Sequence, residues 1–416
     1  MSRYFSYLNS AKEIIATYKG EEPFAIFLKQ FFAANKKFGS KDRKQVAHLC
    51  YCFFRLGKAL QTVSTEDRII AGLFLCSTEP NAIIDTVKPE WKEKVTLPFA
   101  EKCSIVNNEF SVAEVFPWTN ELSGGIESEQ FIQSFFVQPD LFLRLRPGKE
   151  ETVKQKLTQG GISFELVSDF CLALSNTIKV DAVIDINKEA VIQDQSSQQT
   201  MDLFLDHYNK DNNQKLKVWD CCAASGGKSI LLYDLFQGNI ELTVSDIRKS
   251  IIANLEKRFE SAGIKQYKSF VTDLTKDPKR SDLPVYDLII ADVPCTGSGT
   301  WSRTPEQLYY FEPSMIDEYS VLQRNIVANV ASQFAAGAYL LYITCSVFKK
   351  ENEEAVQFCK DNLDLELIEM STIKGYDKKA DTMFVALLKK PLWFYQFCGA
   401  DCFVTIKRFY IILSFG

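Results

Sequence analysis

The chain has 416 residues, of which 46% are apolar and 24% charged, a balance typical of roughly two or three globular domains. Its net charge of −5 disfavours a generally basic nucleic-acid binder, so any RNA contact must come from local patches. The 12 cysteines follow no regular spacing, and the first residues contain no apolar leader segment. We therefore expect a cytoplasmic protein with reduced thiols, no bound metal and no membrane segment.

Helical periodicity dominates residues 1–75. The segment KDRKQVAHLCYCFFRLGKAL places a set of apolar residues near helical spacing: Val46, Leu49, Cys50, Phe53, Phe54 and Leu56. Residues 76–127 are less regular and contain several prolines, which interrupt long helices. The sequence therefore predicts a helical N-terminal domain over residues 1–127.

The pattern changes near residue 128. LFLRLRP alternates as a strand does, KEETVKQKLTQGGI is typical of a helix that ends at two glycines, and FELVSDFCLAL and IKVDAVIDI are further strand candidates. This order predicts a small α+β subdomain over residues 128–200, which we expect to bind RNA. Its basic stretch offers Arg144 and Arg146 as phosphate contacts; the alternative is a solvated charged surface.

From residue 216, apolar strands alternate with helices, and the strand candidates are LKVWD, IELTVSD, KSFVTD, YDLIIADVPC, AYLLYITCS, LELIEM and MFVALLKK. This rhythm predicts an α/β domain over residues 201–390 with a mostly parallel sheet and a ligand site at the carboxyl ends of its strands. The aromatic tail, residues 391–416, has no predicted role, and its uncharged runs are shorter than a membrane span of about 20 residues.

The loop DCCAASGGKS joins strand LKVWD to a helix. Cys222 stands where a Walker loop needs glycine, and the GxGxxG fingerprint is absent, so a phosphate site is disfavoured. A plain strand–helix turn is the alternative to a ligand loop. Asp246 lies 19 residues beyond Gly227, where a carboxylate can accept hydrogen bonds from ribose hydroxyls, and Asp273 is placed for an adenine amino group. These residues indicate an adenosine ligand without pyrophosphate, and S-adenosyl-L-methionine is the candidate.

Two cysteines follow the two most apolar strands: Cys295 in DVPC and Cys345 in TCS. A thiolate that adds to carbon 6 of cytosine activates carbon 5 toward a methyl donor, a second cysteine can assist release, and Asp292 is placed to stabilise the ring. The alternative is that each cysteine is an inert apolar filler. The spacing leaves open which cysteine attacks.

At these residues the chain resembles the RNA (cytosine-5) methyltransferases of the bacterial small-subunit ribosomal RNA type. The matching segments are QDQSSQ, CAASGGK, SD, TD, DVPCTGSGTWSRTPE, TCSVFKKENE and DTMFVALLKK. KDRKQVAHLCYCFFRLGKAL also resembles part of a NusB-like helical domain. Ser225 departs from the family pattern, in which proline is usual.

The resemblance implies a Rossmann-like domain that uses S-adenosyl-L-methionine to form 5-methylcytosine in RNA, with ribosomal RNA as the favoured substrate. It implies that Cys345 is the nucleophile and that Cys295 assists release. The implied cofactor site comprises Cys222, Ala223, Ala224, Ser225, Gly226, Gly227, Lys228, Asp246, Asp273 and Asp292. Arg303 is a further candidate phosphate contact, and we expect a monomer that acts on a flipped or unpaired base. The alternatives are an inactive RNA-binding ribosome-assembly protein, a tRNA methyltransferase and a DNA methyltransferase.

Overall fold

The computed structural model describes residues 3–107, 110–208, 214–276 and 283–392. The first part is helical, with α1 (Arg3–Thr17), α2 (Phe24–Ala34), α3 (Ser40–Arg55), α4 (Thr65–Cys76), α5 (Ala82–Val87) and α6 (Phe99–Val106). The six residues predicted to form the apolar face around α3 are all at most 2% exposed, which confirms that prediction. They pack in aromatic-rich cores between these helices.

A small antiparallel sheet follows α7 (Ser128–Ser134). Its strands lie in the order β2-β3-β1-β4, and its elements are β1 (Leu141–Leu145), α8 (Glu150–Gln159), β2 (Glu165–Ser168), β3 (Cys171–Leu174) and β4 (Ala190–Ile192). The strand predicted at IKVDAVIDI is wrong. Residues Val180–Ala182 form a 3-10 turn instead. A strand would bury Ala182 on the same face as Val180 and Ile184, but Ala182 is exposed while the other two are buried in the subdomain core.

Two short helices, α9 (Gln195–Gln198) and α10 (Asp202–His207), lead into the main α/β domain. Its elements are β5 (Leu216–Asp220), α11 (Gly227–Leu235), β6 (Ile240–Asp246), α12 (Lys249–Ala262), β7 (Tyr267–Val271), β8 (Tyr286–Asp292), α13 (Pro305–Tyr310), α14 (Ser314–Val330), β9 (Phe334–Thr344), α15 (Glu353–Asn362), β10 (Glu366–Ile373) and β11 (Met383–Lys389). The seven strands lie in the order β10-β11-β9-β8-β5-β6-β7.

Strands β5 to β9 are parallel, and β11 runs antiparallel to both of its neighbours, β9 and β10. The mostly parallel sheet confirms the predicted α/β, Rossmann-like class. The chain builds outward from β5 through β6 to β7, then crosses to β8 and β9 on the other side. Open sheets bind ligands at such a reversal, beyond the carboxyl ends of the strands. The crevice here lies beyond Asp220 of β5 and Asp292 of β8.

The helical part packs directly on the α/β part through α13. The Tyr310 hydroxyl donates to the carbonyl of Tyr18 at 2.8 Å, and the Tyr309 ring contacts Phe53 and Phe54. None of the helices in the described ranges combines the length and apolar character that a membrane crossing requires. The domain boundaries at 127, 200 and 390 stay predictions, and all but two residues of the predicted tail lie outside the described residues.

Candidate active site

The two predicted cysteines meet at the rim of the sheet. Strands β8 and β9 are parallel neighbours, with Asp292 paired to Ile343, so the segments that follow both strands leave the sheet side by side. Cys295 Sγ lies 3.3 Å from Cys345 Sγ, and both side chains are half-buried. The close contact with the Cys345 sulfur, burial and the nearby carboxylate of Glu351 raise the pKa of Cys295 well above its usual value.

An ion pair lies next to the thiols. Lys228 Nζ lies 2.7 Å from Asp292 Oδ2, and the lysine side chain is only 11% exposed. Burial disfavours its ammonium charge, but the charge and hydrogen bond of Asp292, together with the field of Cys345, outweigh it and raise the pKa of Lys228. The pair therefore brings a fixed positive charge into the neighbourhood of Cys345. Sequence reasoning assigned Lys228 to the cofactor, whereas its observed partner is Asp292.

The small-residue loop from Cys222 to Lys228 is wrapped tightly between β5 and α11. Gly226 has a φ of +79°, a conformation that favours glycine, and α11 begins at the next residue. The backbone N–H of Ala224 donates to Asp246 Oδ2 at 3.1 Å, which ties the loop to the end of β6. Arg258 donates to both the carbonyl and the hydroxyl oxygen of Ser225, so the residue that departs from the family pattern has a side-chain partner.

Asp246 and Asp273 lie where the sequence places them, at the ends of β6 and β7. Asp246 is 6% exposed, and its carboxylate also accepts hydrogen bonds from the backbone and guanidinium of Arg248. A ribose would have to share or replace the bonds from Arg248. Asp273 accepts from the backbone and hydroxyl of Thr275, and these bonds lower its pKa. Its predicted adenine contact remains a prediction.

Asp220, which sequence reasoning missed, is the buried carboxylate at the end of β5. Its Oδ2 accepts a 2.6 Å hydrogen bond from the Ser229 hydroxyl, and its Oδ1 has no partner within the described residues. Burial raises its pKa to about 7. An unpartnered carboxylate oxygen beside the loop suits the ammonium or sulfonium charge of S-adenosylmethionine, so the residues present fit that cofactor. The available signal was positional, because Asp220, Asp246 and Asp292 each end a parallel strand.

The predicted phosphate contacts fall into two groups. Arg144 and Arg146 both pair with Asp234 of α11 at 2.6 Å, and their side chains are 5% and 12% exposed. This geometry does not support a phosphate role, because both guanidinium groups are buried in a contact between the small sheet and the α/β domain. Arg303 is 35% exposed and pairs with Asp194 and Asp381, which leaves part of its surface accessible. Within the described ranges, no group of three or more His, Cys, Asp or Glu side chains is placed to hold a metal.

Comparison with known proteins points to one family. The profile of the 16S rRNA methyltransferase RsmB/F family matches residues 205–389. Probable ribosomal RNA small subunit methyltransferase B of Bacillus subtilis is 26% identical over 58% of this chain and 53% of its own length. The Synechocystis protein of the same name is 26% identical over 60% and 57%. The chain thus spans about half the length of these curated relatives.

Solved structures share the fold. PH0851 superposes with a TM-score of 0.66 at 19% identity, covering 92% of this chain and 98% of its own. NSun6 from Pyrococcus horikoshii with SFG gives a TM-score of 0.55 at 15% identity, covering 66% and 97%. The sheet order and the convergence of the two cysteines agree with the profile match, so residues 205–389 of this chain are similar to the 16S rRNA methyltransferase RsmB/F family.

Proposed function

We propose that the protein is an S-adenosylmethionine-dependent methyltransferase that forms 5-methylcytosine in RNA, with ribosomal RNA as its substrate. The observation that carries the proposal is the 3.3 Å contact between Cys295 and Cys345 at the rim that also holds the small-residue loop. The family match and the names of the curated relatives support a ribosomal substrate. Arg303 is the predicted phosphate contact that keeps an exposed edge.

In this proposal Cys345 attacks the base. Its thiolate adds to carbon 6 of cytosine, and the displaced electron pair makes carbon 5 nucleophilic. S-adenosylmethionine, when bound at the loop, supplies the methyl group to carbon 5. Lys228, paired with Asp292, places its ammonium group in the neighbourhood of Cys345. Asp292 is positioned at the same rim, where a carboxylate can hold the exocyclic amine and N3 of the base.

Release requires a second step in which a base takes the proton from carbon 5, the C5–H electron pair forms the C5=C6 bond, and the C6–S pair returns to the Cys345 sulfur. Cys295 is placed to assist this step, because its Sγ lies 3.3 Å from Cys345 Sγ. A neutral thiol can donate a hydrogen bond to a departing thiolate but competes poorly as a nucleophile. The assignment of attack to Cys345 and of release to Cys295 is the one that the family resemblance implies, and the 3.3 Å contact between the two sulfurs is consistent with both acting on one base.

The proposal is tested by methyl transfer from tritiated S-adenosylmethionine to ribosomal RNA, tRNA and DNA. We expect transfer to ribosomal RNA, loss of transfer in Cys345→Ala, and retention of RNA binding in that variant. Cys295→Ala should form a protein–RNA adduct that survives denaturing electrophoresis. Cys76→Ser is the matched control, because Cys76 is another half-buried free cysteine and lies in α4, outside the site.

Unchanged transfer in Cys345→Ala would overturn the assigned nucleophile. RNA binding without transfer by the wild type would favour the inactive ribosome-assembly alternative, which has no need for two thiols beside an ion pair. Bisulfite sequencing of total RNA from a deletion strain then identifies the modified cytosine. We keep the cytoplasm as the proposed location, because a reducing environment keeps both thiols free.

A further inference from the structure

Glu351 connects the segments that carry the two cysteines. Its side chain is fully buried, and its carboxylate accepts hydrogen bonds from the Thr296 backbone at 2.9 Å and the Thr296 hydroxyl at 2.6 Å. The Ser346 hydroxyl donates to the same carboxylate at 2.6 Å. Thr296 directly follows Cys295, and Ser346 directly follows Cys345. One carboxylate therefore holds the residue next to each thiol.

A second layer holds Glu351 itself. Gln323 of α14, also fully buried, donates from Nε2 to the Glu351 carboxylate and to the Pro294 carbonyl, both at 2.9 Å. The hydroxyl of Tyr342 on β9 donates to the Glu351 carbonyl at 2.7 Å. The carboxylate is thus fixed against a helix and a strand of the rigid sheet layer. Burial raises the pKa of the Glu351 carboxyl group, and the hydrogen bonds from Ser346, Thr296 and Gln323 partly oppose that rise.

We propose that Glu351 is a positioning residue for the methyl transfer: its carboxylate clamps the Cys295 segment against the Cys345 segment and sets the separation of the two sulfurs. The effect of the clamp on methyl transfer rests on the proposed function, whereas its effect on the separation of the two sulfurs does not depend on that function. When ionised, the Glu351 carboxylate also contributes to the raised pKa of Cys295.

The hydrogen-bond pattern predicts different outcomes for two substitutions. In Glu351→Gln, the amide oxygen can accept from the Thr296 backbone and Gln323. The amide nitrogen can then donate to the hydroxyls of Thr296 and Ser346, because hydroxyl groups rotate to accept. Glu351→Ala removes every one of these bonds. We therefore expect Glu351→Gln to keep the clamp and Glu351→Ala to lose it.

Dibromobimane, which links two nearby thiols, measures the separation of the sulfurs without RNA or cofactor. Dibromobimane first alkylates Cys295 or Cys345 and then reacts with the other thiol. In each full-length variant, mass spectrometry measures the fraction of singly alkylated protein that goes on to form the 295–345 cross-link, and the rate of that second reaction. We expect Glu351→Gln to match the wild type and Glu351→Ala to close about tenfold more slowly, the scale of one net hydrogen bond. Glu354→Gln is the control, since this neighbouring glutamate is about half exposed and pairs with Arg324 instead.

Wild-type closure in a folded Glu351→Ala would overturn the clamp. If that variant does not fold, Thr296→Val and Ser346→Ala each remove one hydroxyl donor, and wild-type closure in both would overturn it equally. In methyl-transfer assays, loss of the clamp should lower kcat while the KM for S-adenosylmethionine stays unchanged, and Glu351→Gln should restore turnover. If the wild type transfers no methyl group, the proposed function fails while the cross-linking result still decides the clamp.

Discussion

Asp220 links the acidity of one buried group to the stability of the whole chain. Burial raises its folded pKa to about 7, whereas an unfolded aspartate has its ordinary value of 3.8. The folded chain therefore holds one more proton than the unfolded chain between these two pH values. Stability from this group is fully present below the unfolded pKa and is lost as pH rises toward about 7, by up to about 1.4 kcal/mol per pH unit.

We expect Asp220→Asn to lack this dependence, because asparagine does not titrate. The difference in unfolding free energy between Asp220→Asn and the wild type should therefore shift in favour of the variant as pH rises from about 4 to about 7, and then level off. Urea denaturation at several pH values measures this difference, in which other titrating groups largely cancel. Parallel pH profiles for the two proteins would contradict the raised pKa.

Among the connecting elements, the loop before α11 depends most on glycine. A Cβ at Gly226 would lie 2.6 Å from the ring of Phe259, and the residue has a φ of +79°. Gly263, at the end of α12, has a similar φ of +75° but nothing within 4 Å of the added atom. An alanine at either position would therefore strain the backbone, but of the two only an alanine at Gly226 would also be sterically crowded.

We expect Gly263→Ala to cost about 1–2 kcal/mol of stability, the price of left-handed backbone in a residue with a Cβ. Gly226→Ala should cost this amount plus an overpacking term of about 1–3 kcal/mol against Phe259. It should also weaken binding of S-adenosylhomocysteine, because the loop must shift, whereas Gly263→Ala should not. Chemical denaturation and calorimetric titration test the pair, and equal costs would contradict the crowding.

Elements with strong local signals were predictable from sequence, and contacts between distant residues were not. The parallel strands are recognisable in the sequence as apolar runs. The strand prediction at IKVDAVIDI was wrong because the apolar residues at 180 and 184 fit both an alternating strand and a single helical turn. The sheet order brings Cys295 and Cys345 together, as the sequence predicted for neighbouring strand ends. Glu351 was missed because its partners Thr296 and Gln323 lie 55 and 28 residues away, and no local pattern reports such a distance.

At the scale of the whole molecule, a buried ion cluster fastens the small sheet to the α/β domain. Arg144 and Arg146 both bind Asp234, which is 6% exposed in its side chain. Removing the shared partner leaves two cations with little access to water. Breaking a buried pair in this way is strongly destabilising, whereas exposed pairs contribute little.

We expect Asp234→Ala to lower the unfolding free energy by about 3–5 kcal/mol. Glu151→Gln is the control, because the Glu151 side chain, which pairs with Lys154, is 78% exposed. We expect this substitution to change the unfolding free energy by less than about 1 kcal/mol. Thermal and urea unfolding measure both. A stable Asp234→Ala protein with increased RNA affinity would contradict the structural role and favour phosphate binding by the two arginines.

The packing of α13 on the N-terminal helices has a consequence for synthesis on the ribosome. Tyr310 contacts a residue made 292 positions earlier, and Glu306 accepts a hydrogen bond from the backbone of a residue made 282 positions earlier. At about 5–20 residues per second, the helical part waits roughly 10–60 s before its partner surface emerges. Throughout that interval Phe53 and Phe54, which Tyr309 contacts in the folded protein, are exposed to solvent on that side. Nascent chains of this protein should therefore depend on ribosome-associated chaperones to shield that face until translation reaches α13.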